Sequence, residues 1–418
     1  MTDKDPYDRF ELQAFIVRLG AAMNAAGEPV YSVQSTLQRV AAAYGVTKAR
    51  INAYPTSLFV ALGRGESATL ELTTPLSSVP RLDQISALHE LIAEAEDGEI
   101  TPNDGLERIN HIRDMPDRFG PLASIAGYAV LTIGLCLILH PAWKDVGIAA
   151  VFGALVGVLR HVTRHLPTLQ VLLPVLAAFC IAAATALLVK HHWADPGLRA
   201  MIASLVVFLP GAALTTAILE LTAGDMVAGA SRLVWAGLQV MLLAFGIVAG
   251  IEASGVTAQT AFSSHSQLLG GWAAWLGVFV FAVGVIVSHQ VPTRASWALV
   301  LVLYSAWVGQ VIGNDLIGGY ASGLIGAVVM TPVATLVARM KSAMPVYAMF
   351  LPGFWLLVPG ALSLIGLTAV ASNASVTDAQ DLLTVVGSIV AVAVGVLLGT
   401  QLTEWMGLSY RFARRSIL

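Results

Sequence analysis

The feature that most constrains the fold of this chain is an apolar segment that is interrupted near its middle by Pro-Gly and occurs twice. The first segment runs from Met201 to Leu221 and is interrupted at Pro210-Gly211. The second runs from Val346 to Val370, is interrupted at Pro359-Gly360, and has a further predicted break at Pro352-Gly353. Each segment can cross a hydrocarbon core about 30 Å thick at about 1.5 Å per residue, so both central breaks are expected near the midplane.

A proline inside a membrane-spanning helix removes a backbone donor and leaves the carbonyl one turn back without its partner. Lipid cannot satisfy that carbonyl, so opened backbone is tolerated only against protein or a water-lined cavity. A pair of broken spans in two halves of a chain is typical of secondary transporters, which bind substrate at the breaks. The alternative is an ordinary proline kink in each helix. The matched pair favours a transport site.

Composition agrees with a membrane protein that carries a soluble N-terminal region. Hydrophobic residues make up 56% of the chain and charged residues 12%, and the mean hydropathy is +0.75. Residues 1–120 hold 11 of the 23 Lys and Arg and 17 of the 26 Asp and Glu, which makes this region acidic. No apolar segment precedes Pro121, and no signal-peptide pattern is visible. The two cysteines, Cys136 and Cys180, lie in apolar runs and do not suggest a disulfide framework.

The first 120 residues are predicted to form a small soluble α+β domain on the cytoplasmic side. Helical periodicity covers Phe10–Ala26 and Pro29–Tyr44, and two β-rich stretches follow on either side of Gly63-Arg64-Gly65, which indicates a short hairpin. Helical periodicity returns over Val79–Glu96. Thr101 is predicted to cap a last helix that begins at Pro102, and a turn is expected after Pro55.

After Pro121 the sequence contains about ten apolar runs, which predicts a polytopic α-helical membrane protein. Five fall in residues 121–252 and five in residues 268–405, so each range is predicted to be a five-span repeat. The runs are Leu122–Leu139, Val146–Leu159, Leu169–Val189, Met201–Leu221, Leu233–Ile251, Trp272–Val287, Ser296–Ile312, Ile317–Val337, Val346–Val370 and Leu382–Leu402.

The distribution of basic residues sets the expected orientation. Inner loops would carry nine basic residues and outer loops three, which fits the positive-inside rule. We therefore expect a protein of the plasma membrane with both termini in the cytoplasm. An odd number of spans per half makes the second half inverted relative to the first. The nine are Arg160, Arg164, Arg232, Arg294, Arg339, Lys341, Arg411, Arg414 and Arg415, and the three are Lys144, Lys190 and Arg199.

Neutral polar groups next to the two central breaks are the candidate substrate contacts. Thr215 and Thr216 lie about one turn beyond Pro210-Gly211, and Ser363 lies about one turn beyond Pro359-Gly360. Opened backbone at the breaks would bind the charged ends of a small zwitterion. Trp355 is a candidate wall of the pocket. The alternatives are hydroxyls bonded to their own helix and an aromatic side chain used for packing.

No carboxylate lies near the centre of a predicted span, so the candidates for proton coupling lie at span ends. Glu220 and Asp225 follow the first broken span and face Arg232 across a glycine-rich turn, and a structural pair with Arg232 is the alternative. Asp145 and Asp315 lie at outer turns. Glu252 and Glu404 are interpreted as solvated helix-end charges.

Several pieces of the sequence resemble the threonine/serine exporter family. The most specific piece is Phe354-Trp355-Leu356-Leu357-Val358-Pro359-Gly360-Ala361, within LPGFWLLVPGALSLIGLT; the others are Arg18-Leu19-Gly20, Ala26-Gly27 and the spaced glycines Gly147, Gly153 and Gly157. The resemblance implies a cytoplasmic module fused to a ten-span carrier that exports small hydroxy amino acids with the proton-motive force. Some members of the family are linked to dicarboxylate export instead, so the substrate stays open.

Other kinds of site have weaker support. His161 and His165 are spaced for a metal but have no third ligand nearby in sequence, so no metal or other cofactor is expected. No ATPase signature is present, and an enzyme is not expected. The expected partners are a small amino acid, protons and the lipid bilayer, and no nucleic acid; homo-oligomerisation is left open. A membrane-embedded sensor or enzyme that uses the cytoplasmic module is the competing functional class.

Overall fold

The computed structural model describes residues 8–62, 69–73, 79–164, 166–191, 193, 199–255, 269–318, 321–340, 344–357 and 379–407. We use "N-terminal segment" for the described residues that precede Pro121. This segment contains four helices and a three-stranded antiparallel sheet of order β1-β2-β3. The elements are α1 (Arg9–Ala25), α2 (Val30–Ala43), β1 (Arg50–Tyr54), β2 (Ser57–Leu62), β3 (Thr69–Thr73), α3 (Leu82–Glu96) and α4 (Pro102–Arg113).

Local sequence accounts for the ends of these elements. The Asp8 side chain caps α1 by accepting a hydrogen bond from the Phe10 amide at 3.0 Å. Thr101 caps α4 by accepting from the Asp104 amide at 3.2 Å, with Pro102 in the first turn, as predicted. Gly27, with φ of 83°, allows the sharp turn between α1 and α2.

The sheet contains one strand more than the predicted hairpin. The first β-rich stretch is divided at Pro55, where a tight turn pairs Tyr54 with Ser57 and starts a second strand. Proline lacks an amide for the strand ladder, so it ends β1 and fits the turn. Residues 63–68, which include Gly63-Arg64-Gly65, lie outside the described part of the chain. In β2, Leu58, Val60 and Leu62 alternate inward and join the core formed with α1 and α2.

The rest of the described chain is helical and apolar, which makes the protein a polytopic α-helical membrane protein. Six helices are long and apolar enough to cross a membrane, a bent pair is a candidate seventh span, and three apolar helices are shorter. The count of ten spans remains a prediction. The helices are α5 (Pro121–Ile138), α6 (Trp143–Thr163), α7 (Pro167–Lys190), α8 (Arg199–Leu205), α9 (Gly211–Thr222), α10 (Met226–Ala253), α11 (Trp272–Ser288), α12 (Thr293–Ile317), α13 (Ser322–Ala338), α14 (Val346–Leu357) and α15 (Ala379–Trp405).

The surface of this helical region is apolar, as lipid contact requires. Large hydrophobic side chains are exposed along several of the long helices, among them Val151 on α6, Val171 on α7, and Met241 and Phe245 on α10. Contiguous apolar surface of this kind would be unstable in water and is stable against hydrocarbon chains.

Helices α5 and α11 pack antiparallel with their backbones in close contact through glycines. A Cβ placed on Gly134 would lie 2.2 Å from the Phe281 amide nitrogen, and one placed on Gly284 would lie 2.2 Å from the Leu131 amide nitrogen. The two contacts are related by a shift of 150 positions along the sequence: Gly134 shifted by 150 is Gly284, and Leu131 shifted by 150 is Phe281. The same shift relates Gly127 to Gly277, which also pack closely against the opposite helix.

A second pair of helix contacts recurs at nearly the same shift. On α10, Gly246 and Gly250 lie against the carbonyls of Val175 and Phe179 on α7. On α15, Gly395 and Gly399 lie against the carbonyls of Leu324 and Val328 on α13. All four correspondences are shifts of 149 positions, the same as the shift between the two Pro-Gly-Ala sequences. Equivalent helices in the two ranges therefore use equivalent glycines for close packing.

The N-terminal segment contacts the loops of both helical ranges. Asp117 pairs with Arg164, which follows α6, and Glu90 on α3 pairs with Arg294 on α12. The Phe119 amide donates to the Gln290 side chain at 2.8 Å. Arg164 and Arg294 therefore lie against the N-terminal segment, and the side of the membrane on which they lie remains a prediction.

Candidate functional site

The fourth apolar segment is broken at the predicted position. Helix α8 ends at Leu205, a short 3-10 turn covers Val206–Phe208, and α9 starts at Gly211 with a bend of 50°. Pro210 occupies the N-cap position of α9, where its missing amide removes no helical hydrogen bond. Pro210 and Gly211 are both buried, so the opened backbone faces protein, as the sequence predicted.

Helix α9, the second half of the broken segment, carries three buried polar side chains. Thr215, Thr216 and Glu220 on α9 are all almost completely buried. Two of their oxygens, Oγ1 of Thr215 and Oε2 of Glu220, make no hydrogen bond within the described part of the chain. A buried polar atom without a partner costs about 1–3 kcal/mol, and such atoms are often functional. These two oxygens therefore have hydrogen-bonding capacity that no described residue uses.

The other oxygen of Glu220 is held by two donors. Arg232 Nε on α10 donates to Glu220 Oε1 at 3.0 Å, and the Val30 amide at the start of α2 donates to the same oxygen at 3.0 Å. The carboxylate therefore also caps α2, whose own N-cap residue is Pro29. The predicted pairing of Glu220 with Arg232 is confirmed.

Asp225 does not take part in this pair among the described residues. It precedes α10 at the N-cap position and is partly exposed. Burial raises the pKa of the Asp225 carboxyl above its usual value. The sequence predicted that Asp225 and Glu220 both face Arg232, and in the structure Glu220 makes the ion pair.

A second buried carboxylate lies next to this pair in the N-terminal segment. Glu28, in the turn between α1 and α2, has Oε1 2.9 Å from Nε2 of His89 on α3. Its backbone carbonyl accepts from Arg232 Nη2 at 3.0 Å. The Tyr347 hydroxyl on α14 donates to the Gly27 carbonyl at 2.6 Å. We use "polar junction" for the group formed by Glu28, His89, Glu220, Arg232 and Tyr347.

The polar junction brings together elements that are far apart in sequence. Thr216 hydrogen-bonds with Tyr347, so α9 and α14 meet beside Glu220. Sequence reasoning missed Glu28, His89 and Tyr347. A carboxylate between Gly27 and Pro29, in a turn between two helices, was a signal for Glu28. Nothing local marks His89 or Tyr347.

Trp355 lies in a chain of aromatic contacts that ends beside the break. Its ring centroid is 5.1 Å from that of His289, which is 5.6 Å from that of Tyr128. Arg160 bonds to the Tyr128 hydroxyl at 2.5 Å and also lies over the ring of Phe208, two residues before Pro210. The predicted site residue Trp355 is therefore buried and linked by contacts to the broken segment.

The second central break lies outside the described residues. Pro359, Gly360 and Ser363 all follow the end of α14 at Leu357. Their predicted roles stay predictions.

The additional break predicted at Pro352-Gly353 is wrong, because α14 continues through both residues. Gly353 is used for packing, since a Cβ there would lie 2.4 Å from the Met330 sulfur.

The remaining coupling candidates lie apart from the polar junction contacts. Asp145 is buried, and its Oδ2 accepts from the Ala142 amide at 2.9 Å, which caps α6. Asp315 is exposed in the last turn of α12. Among the four carboxylates proposed for coupling, only Glu220 combines full burial with an oxygen that has no partner in the described structure.

No metal site is evident in the described structure. The described residues contain no group of three or more His, Cys, Asp or Glu side chains that could hold a metal ion. His161 is described, whereas His165 lies outside the described residues.

Comparison with known proteins identifies the family. Residues 14–253 match the ThrE family, described as "Putative threonine/serine exporter", over more than half of the chain. The chain is 23% identical over 374 residues to pheromone-regulated membrane protein 10 of Candida albicans (strain SC5314 / ATCC MYA-2876) and 22% identical over 370 residues to the protein of that name in Yarrowia lipolytica (strain CLIB 122 / E 150). These alignments cover 85% and 84% of this chain but 33% and 30% of the relatives, so the chain spans about a third of their length. No solved structure matches the chain. The chain therefore belongs to the ThrE family.

Proposed function

We propose that this protein is a secondary exporter of small hydroxy amino acids, threonine and serine, that works by alternating access and uses protons as the coupling ion. The observation that carries the proposal is the break at Pro210-Gly211 together with the two buried oxygens, on Thr215 and Glu220, that have no partner within the described structure. The family to which the chain belongs supports the substrate class.

The broken segment offers a separate partner for each end of a zwitterionic amino acid. The amides in the first turn of α9 have no helical acceptor and carry the positive end of the helix dipole, so they suit the substrate carboxylate. Glu220 Oε2 suits the ammonium group, and the Thr215 hydroxyl suits the hydroxyl of the substrate. We expect Pro359-Gly360 and Ser363 to complete the site from the second half.

The repeated glycine contacts support a 5+5 inverted repeat. The contacts of α5 with α11 are symmetric under a shift of 150 positions, and those of α7 with α10 recur between α13 and α15. Antiparallel packing of the first helices of the two halves is the arrangement expected for halves of opposite orientation. On this basis we propose residues 121–252 and 268–405 as the two repeats, preceded by a cytoplasmic module at residues 1–120, in the plasma membrane.

Counterflow with the purified protein in liposomes tests this function. Vesicles loaded with unlabelled threonine should accumulate labelled threonine, and serine should compete. Thr215→Val removes one uncharged hydrogen-bonding group, about 1 kcal/mol, so we expect the affinity for threonine to fall about fivefold. Thr185→Val on α7 is the matched control, because the buried Thr185 hydroxyl already bonds to the Ile181 carbonyl of its own helix.

The same assay separates the competing functions. Exchange of a small dicarboxylate such as succinate without exchange of threonine would contradict the substrate class. Absence of exchange with either substrate by a folded protein would contradict transport altogether and favour a sensor or an enzyme. Equal affinities for Thr215→Val and Thr185→Val would remove Thr215 from the site.

A further inference from the structure

The guanidinium of Arg160 lies beside the first break and has hydrogen-bonding capacity that the described residues leave unused. Its Nη1 donates to the Tyr128 hydroxyl at 2.5 Å, and its Cζ lies 5.3 Å from the centre of the Tyr128 ring and 5.6 Å from that of Phe208. A guanidinium carries several N–H donors, and this bond uses one of them. No ion pair among the described residues includes Arg160. A charged group with free donors therefore lies against Phe208, two residues before Pro210.

The side chain of Arg160 points away from lipid. Three large apolar residues that are exposed on α6, Val151, Val158 and Val162, mark the lipid-facing side of this helix. At about 100° per residue, these three lie about 160–180° around the helix from Arg160. Arg160 itself is partly exposed. A partly exposed guanidinium on the side opposite lipid is reached by water and solutes rather than by acyl chains.

The residue equivalent to Arg160 in the second range is Gln310 on α12, at the shift of 150 positions that relates α5 to α11. Helices α6 and α12 also begin at positions that this shift relates. The exposed apolar residues of α6 have equivalents on α12 that are exposed as well, so Gln310 points away from lipid as Arg160 does. The equivalent pairs are Val151 and Leu301, Val158 and Val308, and Val162 and Ile312.

Gln310 lies beside the end of α14, close to the second break. A Cβ on Gly326 of α13 would contact both the Gln310 Cβ and the side chain of Leu357, so these two residues lie next to each other. Leu357 is the residue that the shift of 149 positions relates to Phe208. Oε1 of Gln310 is buried and has no hydrogen-bond partner in the described structure. In both ranges, a polar side chain with unused capacity thus lies near a break, which indicates a ligand contact rather than helix packing.

We propose that Arg160 binds the carboxylate of the exported amino acid at the first break. The inference rests on the proposed export function, and it adds a charged side chain to a site in which only backbone amides of α9 were assigned to the carboxylate. Arginine suits this role because two of its N–H groups match the two oxygens of a carboxylate. The bond to Tyr128 and the contact with Phe208 hold the guanidinium in place, so little freedom is lost on binding.

Two other anions that could bind Arg160 are disfavoured. Lipid phosphate attracts basic residues at the ends of membrane helices, but Arg160 points away from the lipid-facing side of α6. A carboxylate of the protein itself is present at this end of α6, on Asp117. It pairs with Arg164 and with Arg81, and is therefore already used.

The affinities of the full-length protein for threonine and for threoninol test the inference. Threoninol has a CH2OH group in place of the carboxylate and keeps the ammonium group and the side-chain hydroxyl. In Arg160→Gln, the threonine dissociation constant should rise about 10- to 100-fold, the range for hydrogen bonds to a charged group. The threoninol dissociation constant should stay the same, because threoninol has no carboxylate to lose its partner. Calorimetry on the purified protein in liposomes measures both constants.

Two further variants make this comparison specific. Arg160→Lys keeps the charge but not the paired N–H groups, so its loss of threonine affinity should be smaller than that of Arg160→Gln. Arg118→Gln is the matched control and should leave both constants unchanged. Like Arg160, Arg118 has neutral partners in the described structure, since its Nη1 donates to the Val291 carbonyl at 3.2 Å and its guanidinium lies over the ring of Phe119.

Equal losses for threonine and threoninol in a folded Arg160→Gln, or no loss for threonine, would overturn the inference. A loss that is the same for both ligands and occurs only in vesicles with phosphatidylglycerol would assign Arg160 to lipid and would also overturn it. If Arg160→Gln does not fold, Arg160→Lys decides, because it should still lose more affinity for threonine than for threoninol. Absence of threonine counterflow by the natural protein removes the export function, whereas normal counterflow with unchanged threonine affinity in Arg160→Gln removes only the role of Arg160.

Discussion

An alanine at Gly134 or at Gly284 should destabilise the protein by separating α5 from α11. A Cβ on Gly134 would lie 2.2 Å from the Phe281 nitrogen and 2.5 Å from the Phe281 Cα. Ordinary carbon contacts are about 3.5–4.0 Å, so the two helices must move apart by roughly 1 Å or more. The obstacle is backbone, which cannot rotate away as a side chain can.

The expected loss is the difference between two effects. Overpacking of a close interface costs about 1–3 kcal/mol. Replacement of glycine by alanine within a helix returns about 0.5–1 kcal/mol. Each single variant should therefore lose about 1–2 kcal/mol. In the double variant, the first alanine has already separated the helices, so the second should cost less and the combined loss should be smaller than the sum.

Thermal unfolding of the detergent-solubilised protein measures this loss. A thiol-reactive dye reports unfolding through Cys136, which is buried in α5. Gly237→Ala on α10 is the matched control, because no heavy atom lies within 4 Å of a Cβ at that position, and it should be neutral or slightly stabilising. If Gly134→Ala and Gly284→Ala unfold at the temperature of Gly237→Ala, close backbone packing does not hold the two halves together.

Two further predictions concern ionisable groups. Glu220→Gln should abolish uphill export of threonine but preserve counterflow at saturating threonine, since exchange moves no net proton and the lost contact with the ammonium group lowers only the affinity. Glu404→Gln, at the exposed end of α15, should preserve both activities, and a Glu220→Gln protein that still concentrates threonine would refute the coupling role. Burial, and after it the charge of Glu220, raises the pKa of Tyr31 to about 12 from 10.0. Tyr31 ionises at a lower pH in the unfolded chain than in the folded protein, so its contribution to stability is complete below about pH 10 and is lost as the pH rises from about 10 to 12. Between about pH 9 and 11, the unfolding temperature of Tyr31→Phe should therefore fall less than that of the natural protein. An equal fall in the two proteins would contradict this.

The features that the sequence predicted correctly depend on short stretches of chain. The break at Pro210-Gly211 follows from the missing proline amide, and the start of α4 follows from Thr101 and Pro102. The pairing of Glu220 with Arg232 was accessible because only 12 positions separate them along the chain. In each case the physical cause acts within about a dozen residues.

The features that the sequence did not predict depend on packing between distant elements. Helix α14 continues through Pro352 because its contacts with neighbouring helices compensate for one lost backbone bond. The contact of Glu28 with His89 joins two helices of the N-terminal segment, and the bond from Arg232 to the Glu28 carbonyl crosses 204 positions. Neither residue carries a local pattern that marks it as part of a transport site.

The hydrogen bond between Tyr347 and the Gly27 carbonyl has a consequence for the synthesis of the chain. The two residues are 320 positions apart. At about 5–20 residues per second, Tyr347 leaves the ribosome roughly 16–64 seconds after Gly27. Throughout that interval the turn that holds Glu28 lacks its contact with α14. Glu90 lacks its partner Arg294 until the 204 positions that separate them have been translated. The N-terminal segment thus acquires its full set of neighbours only after residues far along the chain are made, and a ribosome that stalls before Arg294 would leave acidic Glu90 without this basic partner.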